Sequence, residues 1–309
     1  MGITHLSPDL VRQLVWEEEA PGRQRHLSPD AVAEVFRFGA MVGSEIHRFA
    51  ELDRGMDYAK QLVRDSEARD CALASGTVIL AETLTGGRGR FRRVWHAPPG
   101  GIWMTLVLAN TLLPETSRLY PLAAGLACCE AIRHFGINCQ LKWVNDVHVQ
   151  GRKIAGILAE TMIGPRFGEE YVLIGIGINA NNEAFPPELA DTAVAMCSLL
   201  GEPVDLEALA ARLLAKLNWA MGLLHYEERQ WLADDDGSRP AAARESMLVA
   251  QWRGLSDTIG RRVWFGYDVQ QNPQYEALVI GLTADGGLIL QHLADDVQCV
   301  EYSGEILYC

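Results

Sequence analysis

The chain has 309 residues, of which 49% are hydrophobic and 22% are charged, a composition typical of a globular protein. At roughly 150 residues per domain, this length predicts about two domains with a sizeable core. The 27 basic and 40 acidic side chains give a formal net charge of -13. This charge excludes a protein whose whole surface binds nucleic acid or an anionic membrane, so any phosphate-binding site must be local.

The sequence predicts a protein of the reducing cytoplasm. The N-terminus lacks the basic and apolar regions of a secretory signal, and no apolar run approaches the ~18 residues of a membrane-spanning helix. The seven cysteines include no Cys-x-x-Cys pair, which favours free thiols over a disulfide framework. The eight histidines show no metal-binding spacing, so we expect no metal site built by the protein alone.

Two copies of one pentapeptide predict a short helical extension over residues 1–44. The sequence His-Leu-Ser-Pro-Asp stands at 5–9 and again at 26–30. Each copy offers serine as an N-cap, proline as the first helical residue and aspartate in the first turn. The repeat does not continue, so we interpret it as recurrent capping chemistry rather than as a repeat architecture.

Residues 45–240 alternate strand-like and helical patterns, which predicts a domain of the α+β or α/β class. Short runs of apolar and β-branched residues predict strands, and a loop that contains glycine predicts a hairpin. Leucines at helical spacing predict helices. The predicted elements are strands at 77–81, 102–108 and 171–179, a hairpin of 147–149 with 153–159, and helices at 117–135 and 206–231.

The composition changes after the second long helix. Residues 234–240 are polar, acidic and rich in helix breakers, so we expect a domain boundary here or one short helix later. From residue 256 onwards, short apolar runs alternate with glycine-containing turns. This pattern predicts a small β-barrel domain at 255–309.

A glycine- and arginine-rich segment at 86–93 reverses the charge of the chain locally. It places arginines at 88, 90, 92 and 93 among three glycines. Glycines let backbone N–H groups approach an anion, and guanidinium groups bind phosphate or carboxylate oxygens in pairs, so the segment is a candidate anion-binding loop. The residues alone are equally compatible with a solvated surface loop. No Gly-Lys-Ser/Thr follows, so the segment is not a Walker A loop.

Glycines inside neighbouring predicted strands indicate a second point of interest. Gly156, Gly175 and Gly177 interrupt apolar runs, and interior strand glycines often mark the close approach of a ligand or another backbone. The nearby sequence Lys-Trp-Val-Asn-Asp at 142–146 can close a turn through its Asn-Asp pair. Such a turn needs no function by itself.

Four sequence blocks, in this order, resemble the signature of the biotin protein ligases. They are Arg-Gly-Arg at 88–90 with Arg93 and Trp95, Lys-Trp-Val-Asn-Asp at 142–146, Arg-Lys-Ile-Ala-Gly-Ile-Leu at 152–158 and Gly-Ile-Gly-Ile-Asn at 175–179. Residues 255–260 and 303–305 also resemble the small C-terminal barrel of that family. The likeness covers residues 46–309.

The resemblance implies a biotin/lipoate protein ligase-like catalytic domain of the α+β (α/β) class with a mixed β-sheet, followed by an SH3-like β-barrel. It implies an enzyme that uses ATP and Mg2+ to form biotinyl-5'-AMP with release of pyrophosphate. The biotinyl group would then pass to a lysine of a biotin carboxyl carrier protein or carrier domain. Because substrate oxygens and water complete the octahedron of Mg2+, few protein ligands are expected.

The resemblance also implies roles for individual residues. The catalytic residues would be Lys153, Asp146, Lys142 and Arg90. The ATP and adenylate site would comprise Arg88, Gly89, Arg90, Arg93, Trp95, Lys142, Asn145 and Asn179. The acid site would comprise Arg54, Gly55, Met56, Leu84, Lys153, Gly156 and Gly175.

The acid site is where the chain departs from the family pattern. Arg54, Gly55 and Met56 replace the usual Ser-Thr-Asn, Leu84 replaces a glutamine, and Arg92 replaces a glycine. Hydroxyl and amide partners of the ureido ring are thereby lost, which predicts weaker biotin binding that Gly55→Thr with Leu84→Gln should improve. The alternative is that Arg54 points to solvent and that carboxylates at 53 or 57 rebuild the pocket.

Two other functions remain open. One is a related acyl-adenylate ligase for lipoate or another carboxylic acid. The other is a non-catalytic biotin-sensing or regulatory protein. Residues 1–45 carry four basic and seven acidic side chains, which is the wrong sign for a DNA-binding module, so we expect no DNA partner. We expect no membrane partner either, and we allow for a homodimer.

Overall fold

The computed structural model describes residues 5–182, 185–233 and 246–309 together with residue 3. The sequence segment 234–240, where a domain boundary is predicted, lies outside the described residues. The helices are α1 Pro8–Leu14, α2 Ala20–Arg23, α3 Pro29–Gly39, α4 Gly55–Ala68, α5 Pro114–Ser117, α6 Tyr120–His134, α7 Met196–Leu200, α8 Leu206–Ala233 and α9 Met247–Leu255. The strands are β1 Ile46–Leu52, β2 Thr77–Leu84, β3 Ile102–Ala109, β4 Gln140–Lys142, β5 Asp146–Val149, β6 Arg152–Ile163, β7 Glu170–Ile178, β8 Arg262–Gly266, β9 Tyr275–Leu282, β10 Leu288–His292, β11 Gln298–Glu301 and β12 Glu305–Tyr308.

Seven strands form a mixed sheet in the order β1-β2-β3-β7-β6-β5-β4. The edge strand β1 runs parallel to β2, and the other neighbours pair antiparallel. The mixed sheet and all the strands and helices predicted between residues 77 and 231 are confirmed. The parallel strand β1 was not predicted, because its half-exposed polar side chains break the apolar pattern of a buried strand.

The two faces of this sheet are covered differently. Side chains alternate between the faces along each strand. One face packs against α6, which α8 covers in turn, and Leu106, Ile157 and Ile176 lie in that core. The other face is covered by α4, whose Met56 and Val63 pack in a smaller cluster with the strands. Beyond the N-terminus of α4 this second face opens into a cavity.

The N-terminal extension is part of the main core. The Ser7 hydroxyl accepts a hydrogen bond from the Leu10 N–H at 3.2 Å, and the Ser28 hydroxyl accepts one from Ala31 at 3.3 Å, so both predicted N-caps are confirmed. A π-helical turn, Val15–Glu19, joins α1 to α2. Phe36 of α3 is buried against Trp219 of α8, with ring centroids 5.2 Å apart.

The C-terminal strands form an antiparallel sheet in the order β11-β10-β9-β8-β12. Val263, Phe265 and Leu290 are buried at its centre. The buried indole of Trp143 donates a hydrogen bond to the Gly286 carbonyl at 3.1 Å, which ties this sheet to the end of β4. The predicted small β domain is therefore present, as a five-stranded antiparallel sheet.

In the described ranges, no helix combines the length and the apolar character that crossing a membrane requires.

The joint between α8 and α9 contains a buried carboxyl group. Glu227 accepts hydrogen bonds from the Ser246 hydroxyl at 2.8 Å and the Leu248 N–H at 3.2 Å. Burial raises the pKa of Glu227 to about 7. Between its ordinary pKa of 4.5 and about 7, Glu227 therefore keeps its proton in the folded chain. In the unfolded chain the same carboxyl group has already lost that proton.

This linkage gives a stability prediction with a definite sign. Since the folded pKa is the higher one, the free energy of unfolding should fall as pH rises from about 4.5 to about 7, by roughly 3 kcal/mol. Glu227→Gln should remove this component, and denaturant unfolding at pH 5 and pH 8 measures it. The exposed Glu115→Gln serves as the control. An unchanged pH dependence in Glu227→Gln would contradict the assignment.

Candidate active site

A cavity of about 570 Å³ opens on the uncovered face of the seven-stranded sheet. The glycine- and arginine-rich segment and the C-terminal sheet form its other walls. The structure brings all the predicted site residues to this one cavity. They are Arg54, Gly55, Met56, Leu84, Arg88, Gly89, Arg90, Arg93, Trp95, Lys142, Asn145, Asp146, Lys153, Gly156, Gly175 and Asn179.

The floor of the cavity consists of glycines. Gly177 of β7 lies opposite Gly156 of β6, and Gly175 lies two residues away on the same face. The indole of Trp95 rests on this floor, because a Cβ at Gly177 would stand 2.6 Å from the ring and one at Gly156 would stand 3.1 Å away. The Trp95 Nε1 group is buried without a hydrogen-bond partner among the described residues. The strand glycines therefore make room for a planar group.

A cation and a carboxylate meet beside this floor. The Lys153 Nζ lies 2.5 Å from the Asp146 Oδ1 and 5.2 Å from the centroid of the Trp95 ring. The backbone of Lys153 is fixed on both sides, since its N–H donates to Thr192 and its carbonyl accepts from Val194. The ammonium group is thus held at one end of the glycine floor.

The arginine segment is held by the C-terminal sheet. Arg90 donates to the Gly304 carbonyl at 2.8 Å, and Arg93 makes a two-pronged ion pair with Glu305 at 2.6 and 2.8 Å. The hydrogen bond with Glu305 raises the pKa of Arg93. Burial lowers the pKa of Arg90, while the charge of Glu305 opposes this change. The interpretation of this segment as merely solvated is therefore wrong for Arg90 and Arg93.

Lys142 lies at the boundary between the two sheets. Its Nζ stands 4.9 Å from the centroid of the Tyr308 ring. Burial lowers the pKa of Lys142, and the charge of Asp146 acts in the opposite direction. Tyr308 also lines the cavity, and its hydroxyl donates to Asp257 at 2.9 Å. Sequence reasoning missed Tyr308, because only the docking of the last strand brings it to this site.

The side chains of Asn145 and Asn179 line the cavity and hydrogen-bond to its walls. Asn145 donates from Nδ2 to the Ile157 carbonyl at 2.7 Å and accepts from Arg90 at 3.4 Å. The buried Asn179 donates weakly to the Lys153 carbonyl at 3.5 Å and accepts from Asn182 at 3.1 Å. Both side chains therefore connect the strand ends that carry the cations.

The far end of the cavity is formed by the start of α4. Arg54 binds Glu160 and, at 3.2 Å, Asp57, so its charge is matched and its side chain is only 14% exposed. The alternative in which Arg54 points to solvent is wrong. The carboxylates at 53 and 57 do not rebuild the pocket either. Asp53 accepts from Thr85 at 3.1 Å, and neither carboxylate lines the cavity.

Gly55 is constrained by a neighbour on β3. A Cβ at Gly55 would stand 2.6 Å from the hydroxyl oxygen of Thr105. The expectation that Gly55→Thr with Leu84→Gln improves biotin binding stays a prediction, and it now requires the hydroxyl of Thr105 to move aside for the new side chain. Sequence reasoning missed Thr105. The available signal was its position as the only hydroxyl residue in the apolar run 102–108.

The packing of Trp95 on the glycine floor is testable. Gly177→Ala should displace the indole, because its methyl carbon would come within 2.6 Å of the ring. We expect faster hydrogen exchange over residues 86–96, measured by mass spectrometry. Gly281→Ala, on β9, is the matched control because its methyl group would make only an ordinary 3.9 Å contact. Equal protection of the segment in both variants would show that the indole does not rest there.

Comparison with known proteins finds a family model and relatives that match this chain. The model of the biotin/lipoate A/B protein ligase family matches residues 60–179. The bifunctional ligase/repressor BirA of Bacillus subtilis is 39% identical over 134 residues, which are 42% of this chain and 41% of that protein. The biotin–[acetyl-CoA-carboxylase] ligase of Mycobacterium tuberculosis is 31% identical over 217 residues, 68% of this chain and 70% of that protein.

A solved structure shares the fold. The biotin protein ligase of Aquifex aeolicus, in complex with biotin and ATP, superposes with a TM-score of 0.65 at 22% identity, covering 86% of this chain and 98% of that one. The match spans less than half of the BirA proteins of Bacillus. The extent of the match to the mycobacterial ligase nevertheless shows the family: this chain belongs to the biotin protein ligases of the biotin/lipoate A/B protein ligase family.

Proposed function

We propose that this protein is an ATP-dependent biotin protein ligase, which forms biotinyl-5'-AMP and transfers biotin to a lysine of a carboxyl carrier protein. The observation that carries the proposal is the arrangement of one cavity, with a glycine floor, a Lys153–Asp146 pair and a bank of arginines along its wall. The related ligases are named for biotin, so lipoate is not favoured as the acid.

The first half-reaction joins two anions. A carboxylate oxygen of biotin attacks the α-phosphorus of ATP, a mixed anhydride forms, and pyrophosphate leaves. Repulsion between the carboxylate and the phosphates opposes this approach, and Arg88, Arg90, Arg93 and Lys142 would lower it. Guanidinium groups suit this role because they keep their charge when partly buried and bind phosphate oxygens in pairs.

The second half-reaction forms an amide. The neutral amine of the carrier lysine attacks the acyl carbonyl, the bond to the phosphate oxygen breaks, AMP leaves, and the nitrogen loses one proton to the solvent. Lys153 would stabilise the negative charge that develops on the carbonyl and bridging oxygens. Asp146, 2.5 Å from Lys153, would orient the incoming amine.

The remaining assigned residues would position the nucleotide. Gly89 would let the backbone approach the phosphates, Asn145 and Asn179 would line the nucleotide end, and Trp95 would help close the nucleotide pocket. Gly156 and Gly175 would lie against the acid, which would displace the side chains of Trp95 and Met56 that now stand over them.

Mg2+ fits this donor set as a companion of ATP. Among the described residues, no three His, Cys, Asp or Glu side chains group closely enough to hold a metal ion by themselves. Asp146 would provide one carboxylate, with phosphate oxygens and water as the other ligands. When bound, Mg2+ would neutralise part of the negative charge on the phosphates of ATP.

We also propose that the C-terminal sheet at 255–309 curls into an SH3-like barrel whose role is to hold the arginine segment. The ion pair of Arg93 with Glu305 supports this role. The proposed domain limits are 1–44 for the helical extension and 45–240 for the catalytic domain.

Acid-dependent exchange of pyrophosphate into ATP tests the proposed function. We expect biotin to support exchange, and lipoate and octanoate to support little. Transfer of labelled biotin to a purified carrier domain tests the second half-reaction. A chain that gives no exchange with biotin would overturn the proposal.

Lys153→Ala should lower the rate of biotin-dependent pyrophosphate exchange by at least ~100-fold, because a preorganised donor to developing charge is removed. The control is Arg262→Ala, which removes another ion-paired cation on the outside of the C-terminal sheet. Circular dichroism should show that both variants fold. A Lys153→Ala variant with the wild-type rate would exclude Lys153 from the mechanism.

A further inference from the structure

A buried hydroxyl group faces the cavity with no partner of its own. Thr105 on β3 is 4% exposed and lines the cavity beside Gly55. Across the described ranges, no hydrogen bond of its hydroxyl to a protein group is found, and its oxygen is not one of the fully buried atoms without a partner. The hydroxyl therefore faces the cavity, where a ligand can accept a hydrogen bond from it.

The surroundings of Thr105 select the chemistry of that ligand. The charge of Arg54 is taken up by Glu160, and Met56 and Leu84 provide apolar walls. Helix α4 begins at Gly55, and no side chain of the described residues caps it, so its first N–H groups are candidate donors to a ligand. In such a neutral, apolar part of the pocket, hydrogen-bond donors favour a carbonyl oxygen of the ligand over a charged group of the ligand.

Thr105 and the cations lie along one slot. Thr105 pairs across the sheet with Gly175, and Trp103, two residues before Thr105, pairs with Gly177. Gly177 in turn lies opposite Gly156, next to the Lys153–Asp146 pair. A chain-like acid with its carboxylate at Lys153 and its head group at Thr105 would cross these positions, and it would displace the indole of Trp95 that now rests on Gly177 and Gly156.

We propose that Thr105 is a specificity-determining residue that donates a hydrogen bond to the carbonyl oxygen of the ureido head group of the acid. This inference rests on the proposed function. Gly55 is part of the same arrangement, because any side chain there would collide with the hydroxyl of Thr105. The strand thus provides the hydroxyl that the start of α4 lacks.

Thr105→Val removes the hydroxyl and keeps the branched shape, and Thr105→Ser keeps the hydroxyl. In pyrophosphate exchange, Thr105→Val should raise the KM for biotin about tenfold, with little change in kcat or in the KM for ATP. Thr105→Ser should stay close to wild type. Unchanged kinetics in Thr105→Val, with wild type active on biotin, would overturn the inference and leave the proposed function intact.

An analogue tests the atom that is recognised. In 2-iminobiotin an imino group replaces the ureido oxygen, so a donated hydroxyl hydrogen bond is weakened. Wild type should prefer biotin over 2-iminobiotin about tenfold more strongly than Thr105→Val does. Equal preference in both proteins would overturn the inference. Absence of biotin-dependent exchange in wild type would overturn the proposed function and this inference with it.

A second pair of variants keeps the test decisive if Thr105→Val fails to fold. Gly55→Ser alone should raise the KM for biotin, because its side chain collides with Thr105. Gly55→Ser combined with Thr105→Ala should recover at least part of the loss, since the hydroxyl returns from the helix side. A double variant that is worse than Gly55→Ser would contradict the proposed coupling of the two positions.

Discussion

The absence of side chains at three neighbouring strand positions is the constraint on which the cavity depends. Gly156, Gly175 and Gly177 lie on the face of the sheet that lines the cavity, where the side chains of Trp95 and of Met56 in α4 fit against them. Any Cβ at Gly177 would occupy the place now taken by the indole of Trp95. Strand interiors normally select branched side chains, so these glycines weaken the sheet locally and provide a flat surface in exchange.

The cations around this surface depend on a second element of the fold. Arginines close together repel one another, and their charges are offset by Glu305 and Asp268 of the C-terminal part of the chain. The same part of the chain carries Tyr308, over which Lys142 lies, and Gly286, which accepts from Trp143. The C-terminal sheet is thus a wall of the cavity, and its docking determines where the positive charge stands.

The start of α4 shows how substitutions compensate one another. Arg54 would carry an unmatched charge to the cavity, but Glu160 and Asp57 neutralise it. Burial opposes ionisation of Glu160, yet hydrogen bonds from Lys60 and Arg54 together lower its pKa. Gly55, which removes a hydroxyl relative to the pattern of the family, stands against the hydroxyl of Thr105. The acid pocket therefore has different side chains from the family pattern, and the hydroxyl of Thr105 is still present in it.

Local sequence determined the elements and the identity of the groups that line the cavity. Capping serines, apolar runs and strand glycines act over a few residues, so they predicted the two N-terminal caps, the strands and the hairpin. The ordered blocks that resemble the ligase family predicted the residues that the cavity brings together. Both kinds of feature can be recognised in the sequence, because a local pattern involves only residues close together in the chain and a family motif is a fixed series of residues.

Only the tertiary structure decided which of those groups are free and which are paired. Two ion pairs and one steric contact decide this, namely Arg54 with Glu160, Arg93 with Glu305, and Gly55 against Thr105. The two residues of each pair are at least fifty positions apart in the chain. No periodicity or spacing encodes such pairs, because they arise when strands and sheets dock. The sequence therefore determined a positively charged, glycine-floored site, and the packing of distant segments decided its charge balance and the shape of its acid pocket.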